Sequence, residues 1–474
     1  MIHITIKDNE FSYDLKALAM VFFPERECRV EEDPALLRRK GFTMVIRIDG
    51  EKTWEGFLTA PYTKNEVKQK AYRYFSGVSG RTQPWGILTG IRPAKIPFRR
   101  ILEGKGRQEI LRELEEEYFC SREKAQLALD VAGKEVQMTQ GMDHEGSVSI
   151  YIGIPFCPSI CAYCSFSSYP LKQYENKTDA YLDALEKEIT YVGEHLGRRQ
   201  LQTVYIGGGT PTSLTEAQLE RLFSMIEDHF PLDAVREYTV EAGRPDSITE
   251  GKLRCMRNHR VSRISINPQS MKQHTLDLLG RRHTTEQIRD TFQLARDLGF
   301  DNINMDLILG LPEETLEDFK YTLSEVDAMG PDSITIHTLV IKRAARIRKE
   351  KLEQGGQIGD EDACIPQMQQ YSEKFCRDHG YEPYYMYRQK NKAVTSRNTN
   401  QENVAYARPG KECIYNVLMM EELQTILALG CGGSSKYVFQ GEDRMERVEN
   451  VKSVDDYISR IDEMIRRKLP FSSE

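Results

Sequence analysis

The chain has 474 residues, 39% hydrophobic and 29% charged, with a formal net charge of −7. That length holds two or three domains, and the balance suits a chain with a packed core. The acidic excess argues against nucleic acid as the main partner, because phosphate binding calls for a basic surface.

The N-terminus, MIHITIKDNEFSYD, shows no basic segment leading into an apolar one, so no secretory signal is expected. No stretch reaches ~18 uncharged apolar residues, so the expectation is a cytoplasmic chain without a membrane span. Residues 1–145 open with strand-like segments (HITIK, then FTMVIRIDG before EKTWEGFLTA) and continue through PWGILTGIRPAKIP to a helical stretch near LRELEEEYFCSREKAQLALDVAGKEV. They read as a separate α+β domain of unknown role, ending in a Gly-containing linker.

From 146 to 340 short apolar runs alternate with amphipathic stretches. The runs are 149–154, 203–208, 237–242, 261–266, 303–309 and 333–339. Strands alternating with helices of this length imply right-handed βαβ units and a parallel sheet. Six repeats suit a partial (β/α)6 TIM-type barrel, whose function belongs at the C-terminal strand ends. Residues 341–474 break the alternation and read as a mostly helical region that covers the substrate.

Ten cysteines in such a chain read as thiols or metal ligands rather than a disulfide framework. Cys28, Cys120, Cys255, Cys364, Cys376, Cys413 and Cys431 are scattered, and ordinary thiols are expected there. The other three form Cys157-x-x-x-Cys161-x-x-Cys164, directly after the first barrel strand. Three thiolates on one loop can hold three irons of a cubane and leave the fourth iron open to another ligand. A zinc site would want a fourth Cys or His at local spacing, and Ser165, Phe166, Ser167 and Ser168 follow instead.

The loop YIGIPFCPSICAYCSF resembles that of the radical S-adenosylmethionine (SAM) superfamily. IGGGTPTSL, TVEAGRPDS, RISINPQS, LLGRRHT and INMDLILGLPEET narrow the resemblance to the oxygen-independent coproporphyrinogen III oxidase group. The tail motifs PYYMYRQKN, YARPGKECIYNVLMMEE and ILALGCGGSSKYVF resemble its HemZ-type branch. The resemblance implies a [4Fe–4S] cluster on Cys157, Cys161 and Cys164, with SAM at the open iron. It implies SAM contacts from Tyr151, Tyr163, Gly208, Gly209, Thr210, Glu241, Gln269, Arg281, Asp306 and Thr338. The absent side chains of Gly207–Gly209 suit close approach of backbone to a ligand. The planar fork of Arg281 suits a carboxylate.

Two positions depart from the main branch: Phe166 stands where that branch has a fourth cysteine, and Gly153 where it commonly has a His. The cubane needs neither, but the His is tied to catalysis there. The implied substrate carries four propionates, for which Lys342, Arg343 and Arg388 are the candidate partners, with Tyr384, Tyr385 and Tyr387 flanking a flat ring. Two readings stand. One is oxidative decarboxylation of coproporphyrinogen III to protoporphyrinogen IX, with an electron donor such as flavodoxin or ferredoxin. The other is a haem-delivery protein, which wants an axial ligand such as His337, Cys413, Cys431 or a tyrosine. Another radical reaction on a tetrapyrrole is a weaker third.

Overall fold

The computed structural model describes residues 1–7, 9–38, 41–164, 167–339, 364–388, 402–439, 442 and 444–468. Lys342, Arg343 and Phe166 lie outside the described residues. The chain divides into two compact units. The first contains Met1–Gln137, Lys351–Ile365 and Met386–Val404, and the second Met138–Glu350, Pro366–Tyr385 and Ala405–Glu474.

The first unit is built on a four-stranded sheet of β1 (Ile2–Ile6), β2 (Cys28–Glu32), β3 (Phe42–Ile48) and β4 (Trp54–Leu58), in the order β2-β1-β3-β4. Alternation along β1 sends Ile2, Ile4 and Ile6 to one face. There they pack on Leu15, Leu18 and Phe22 of the helix Ser12–Phe22 and on Val67, Ala71 and Phe75 of the helix Lys64–Ser79. Thr63 and Glu66 open the second of these helices with a capping box, and Gly80 closes it in the left-handed region.

The PWGILTGIRP segment buries Trp85 and Ile87 in this unit. Trp85 Nε1 donates to Glu402 at 2.7 Å, and Arg388 lies over the Trp85 ring at 5.6 Å while its guanidinium donates to the Leu88 carbonyl. The Arg388 backbone N–H donates to Ile91 at 2.8 Å. This corrects the expectation for Arg388: it is 5% exposed and bonded to backbone and an aromatic face, not presented to a propionate. Burial pulls its pKa down to about 10.

The second unit carries an 11-stranded sheet. Its heart is six parallel strands, β5 (Ser147–Ile154), β8 (Gln200–Gly208), β9 (Glu237–Gly243), β10 (Arg263–Ile266), β11 (Ile303–Leu309) and β12 (Ser333–Thr338). The short pair β6 (Phe156–Cys157) and β7 (Tyr169–Pro170) lies apart from it. Thr215, Thr284 and Thr315 start the helices Glu216–His229, Thr285–Asp297 and Leu316–Met329 with capping boxes, so the same device follows β8, β10 and β11. This is the partial (β/α)6 barrel.

Period-2 alternation gives the barrel strands two different faces. Ile150 and Ile152, Val204 and Ile206, Met305 and Leu307, and Ile334 and Ile336 form a fully apolar, buried row. The intervening residues are polar. They include Ser149 and Tyr151, Thr203 and Tyr205, Thr239 and Glu241, Arg263 and Ser265, and Asn304 and Asp306. These residues are joined across neighbouring strands: Thr203 Oγ1 donates to Ser149 Oγ at 2.7 Å, Tyr205 Oη to Glu241 at 2.5 Å, and Ser333 Oγ to Asn304 Oδ1 at 2.9 Å.

The C-terminal region differs from the expected, mostly helical one. It supplies β13 (Glu382–Arg388), β14 (Glu402–Ala407), β15 (Thr425–Leu429), β16 (Ser434–Phe439) and β17 (Arg444–Glu449) along with four described helices. β14 and β13 extend the sheet beyond β12, and β15 runs parallel to β5 at the opposite side, followed by antiparallel β16 and β17. The apolar run TILAL finds its partner only through this nonlocal pairing. A buried network secures it. Glu188 receives the Gly430 N–H at 2.8 Å, Tyr457 Oη at 2.5 Å and Asn450 Nδ2 at 2.8 Å, and it pairs with the Lys468 ammonium at 3.0 Å. Every described polar group that Glu188 needs for burial is thus supplied by residues 430–468. No described helix is long and apolar enough to cross a membrane.

Candidate functional site

The three cysteines lie at the C-terminal end of β5, the end where this architecture places function. Cys157 is buried, and Cys161 and Cys164 are partly exposed. A turn bond from Cys164 N to Cys161 O (3.0 Å) and one from Ala162 N to Leu279 O (3.0 Å) hold the loop. Tyr163 packs on the apolar cluster of Ala162, Leu279, Ile308, Leu311 and Leu339.

The sulfurs sit among donors. Thr210 Oγ1 donates to Cys157 Sγ at 3.5 Å, and Arg244 and Arg281 reach Cys161 Sγ at 3.9 and 3.7 Å. Burial pushes the Cys157 thiol up to about 11, and the Thr210 bond opposes this. A bound cation reverses that logic, since a coordinating thiol is deprotonated. Two guanidinium groups facing one sulfur complement the negative charge of thiolate ligands.

Arg244 was not among the residues singled out from the sequence. It is 3% exposed, forks onto Asp246 at 2.9 and 2.6 Å, and holds Ser159 Oγ at 2.7 Å. The Asp246 side chain is partly exposed, and bonds from His283 and Arg244 hold its carboxyl well below the usual range. The Arg-Pro-Asp order in TVEAGRPDS was the available signal.

Gly208 and Gly209 meet protein backbone. Gly209 N donates to Ile154 O and Thr210 N to Phe156 O, both at 2.7 Å. A Cβ on Gly209 would lie 2.6 Å from Phe156 O, and Gly208 has φ +109°. The close approach is therefore between the β8 turn and the segment that leads into Cys157. A Cβ on Gly207 would lie 2.9 Å from the Glu241 carboxyl, so this glycine makes room for that acid.

Below the loop, Tyr151, Tyr205 and Tyr415 stack, with Tyr205 and Tyr415 centroids 4.4 Å apart. Burial raises the Glu241 pKa from an ordinary value to about 7, with Asp306 adding to it and Tyr205 opposing. Asp306 is pulled the other way: burial raises it, but His337 at 3.7 Å and Asn304 Nδ2 at 2.7 Å outweigh that and lower it. Two acids in one interior with opposite shifts can serve as a proton-bearing and an anionic group.

A pH dependence of stability follows. Glu241 adds nothing unfavourable below its ordinary carboxyl range, where both states are protonated. Stability is then lost as pH rises through about 7. Glu241→Gln should leave stability unchanged near pH 4 and raise it by at most about 3 kcal/mol at pH 8, since each tenfold change in proton affinity is worth ~1.4 kcal/mol. Urea unfolding at both pH values measures this, and a pH-independent difference would exclude the buried acid as its source.

Gln269 and Arg281 complete the rim. Gln269 has φ +68° and bridges β11, its N–H on Asp306 O (2.9 Å) and its carbonyl on Ile308 N (3.0 Å). Such a strained non-glycine conformation persists where surrounding bonds over-determine it. Arg281 donates to Tyr163 Oη at 3.1 Å and Asn267 O at 2.5 Å. Among the described residues, Gln269 Oε1, Asn267 Oδ1 and Arg281 Nε are buried without a hydrogen-bond partner. Thr338 is buried at the end of β12 and accepts from Gln369 at 3.3 Å. Three thiols on one loop, cations at their sulfurs and unspent polar atoms at the strand ends fit a cluster carrying a polar ligand.

Residues 151–326 match the Radical SAM superfamily. The oxygen-independent coproporphyrinogen-III oxidase-like protein HemZ of Bacillus subtilis is 38% identical over 412 residues, covering 86% of this chain and 81% of that protein. The heme chaperone HemW of B. subtilis is 36% identical over 195 residues, 41% of this chain and 51% of that one. The solved coproporphyrinogen III oxidase HemN of Escherichia coli superposes with TM-score 0.54 at 25% identity, covering 70% of this chain and 72% of HemN. The cofactors of the radical SAM superfamily are a [4Fe–4S] cluster and SAM. The thiol loop on a partial (β/α)6 barrel and the similarity to HemZ along most of both chains place this protein in the radical SAM superfamily, within the HemZ-like, coproporphyrinogen III oxidase-related family.

Proposed function

We propose that this chain oxidatively decarboxylates two propionates of coproporphyrinogen III to vinyl groups, giving protoporphyrinogen IX. When bound, the cluster and SAM supply a 5′-deoxyadenosyl radical. Each propionate then loses a β-hydrogen atom, one electron and CO2, and the electron passes to an acceptor. Flavodoxin or ferredoxin is the proposed source of the reducing electron. Cys157, Cys161 and Cys164 would hold the cluster, with Arg244 and Arg281 offsetting its charge. Gln269 Oε1 and Asn267 Oδ1, without a partner among the described residues, would accept from an ammonium, and Arg281 Nε would donate to a carboxylate. Glu241 and Asp306 would accept from ribose hydroxyls. Lys342 and Arg343 follow β12 in sequence and would pair with propionates.

One observation favours decarboxylation over haem delivery. Both cysteines considered as axial ligands are already engaged. Cys413 is fully buried and donates to Glu237 at 3.4 Å, and Cys431 donates to Lys452 O at 2.7 Å.

Anaerobic turnover of coproporphyrinogen III with SAM and a reductant, followed by chromatography, tests the reading. Vinyl products support it. Stoichiometric haem binding without any vinyl product would replace it with the carrier reading. Arg343→Ala should raise KM by roughly ten- to a hundred-fold, the loss of a charge-assisted bond worth about 1.5–3 kcal/mol. Substrate-free SAM cleavage should be unchanged in this variant. Arg343→Lys should recover only part of the loss if the pairing is bidentate.

A further inference from the structure

On the outer helices, away from the cysteine loop in sequence, three side chains with different donor atoms converge. Glu220 lies on the helix Glu216–His229, and Cys255 lies on the helix Glu250–Asn258, with His259 capping its end. The i, i+4 spacing of Cys255 and His259 puts both on one face. One ligand atom from each of the three residues lies within 4.8 Å of the others. His259 Nε2 is 3.0 Å from Glu220 Oε1, and Cys255 Sγ is 3.4 Å from Glu220 Oε2.

We propose that Glu220, Cys255 and His259 form a second metal site, for a zinc-like divalent cation. Tetrahedral zinc, with Zn–N near 2.0 Å and Zn–S near 2.3 Å, sets its ligand atoms roughly 3.3–3.6 Å apart. The Cys255–Glu220 separation of 3.4 Å falls within that spacing and the His259–Glu220 separation of 3.0 Å just under it, before any ion is bound. The imidazole is already oriented. Glu227 Oε1 lies 2.9 Å from Nδ1, and the Phe223 ring stacks on the imidazole at 5.1 Å. With an ion on Nε2, Glu227 would receive the Nδ1–H, the tautomer that leaves the Nε2 lone pair for a metal. The Glu220 side chain is 59% exposed while His259 is 10% exposed, so an ion can enter from solvent and keep water as its fourth ligand. A thiolate, imidazole and carboxylate set selects zinc or cobalt over magnesium or calcium. The ion would staple the helices that follow β8 and β9, and it would add stability by mass action. The competing arrangement is a protonated His259 paired with two glutamates and binding no metal.

The test uses protein with its iron–sulfur cluster reconstituted, so that Cys157, Cys161 and Cys164 are occupied. Cobalt(II) titration should show one further equivalent bound, with a thiolate-to-cobalt charge-transfer band that zinc displaces. Cys255→Ala should abolish the band, and Glu227→Gln should weaken cobalt binding roughly 10–100-fold. Zinc should raise the thermal midpoint of the wild type but not of Glu220→Gln, a change at an exposed carboxylate that leaves folding intact. The proposal is overturned if no saturable cobalt binding is seen, or if the band and the zinc-induced shift persist unchanged in the Cys255→Ala and Glu220→Gln proteins.

Discussion

Replacing Cys161 with alanine is expected to remove the iron–sulfur cluster altogether. Wild-type protein reconstituted without oxygen should hold about four irons, because a cubane on three thiolates requires them. Of the three cysteines, Cys161 is the one whose sulfur faces both Arg244 and Arg281. Its loss leaves two ligands and two guanidinium groups turned toward a vacated position. Iron, sulfide and 5′-deoxyadenosine formation should fall together to background. Cys255→Ala is the control, since its sulfur lies against Glu220 on an outer helix, and it should retain full iron content. Equal iron and sulfide in both variants would remove the cluster from this loop.

The second large effect is expected at Gly209. Its N–H is bonded to Ile154 O, and a Cβ would fall 2.6 Å from Phe156 O and 2.9 Å from Pro155 C. Those atoms are backbone and cannot swing aside as the end of a flexible side chain does. Overpacking of this kind costs about 1–3 kcal/mol or more. The strain falls on the segment that carries Cys157, so Gly209→Leu should suppress SAM cleavage and lower iron content as well. A variant that kept all its iron and lost only SAM binding would show that the glycine serves ligand approach alone. Full cleavage in the variant would contradict both accounts.

Much of this architecture is legible in local sequence. SIYIGI, TVYIGG and EYTVEA alternate apolar and polar residues, and that alternation is the barrel's two faces: Ile150, Val204 and Val240 on one, Tyr151, Tyr205 and Glu241 on the other. The CxxxCxxC spacing carries its chemistry in eight residues. What escapes local reading is set by partners far away along the chain. Arg388, beside tyrosines and lysines, looks like an anion site until Trp85 and Leu88, 300 residues earlier, cover it. TILAL reads as one more apolar run until it pairs with Val148–Ile152. Glu188 sits in an amphipathic helix, and only the fold shows that Lys468 neutralises it at zero exposure. Arg244 was hidden for another reason: its role depends on Ser159 and Cys161, which approach it only when the first and third barrel strands lie in one sheet.

The proposed function directs the radical chemistry of this barrel at propionate side chains. Coproporphyrinogen III carrying deuterium at the β-carbons of its propionates, incubated anaerobically with SAM and reductant, tests it most directly. The 5′-deoxyadenosine released should carry deuterium and appear together with vinyl product. Deuterium-free 5′-deoxyadenosine, formed at the same rate with and without the porphyrinogen, would contradict it.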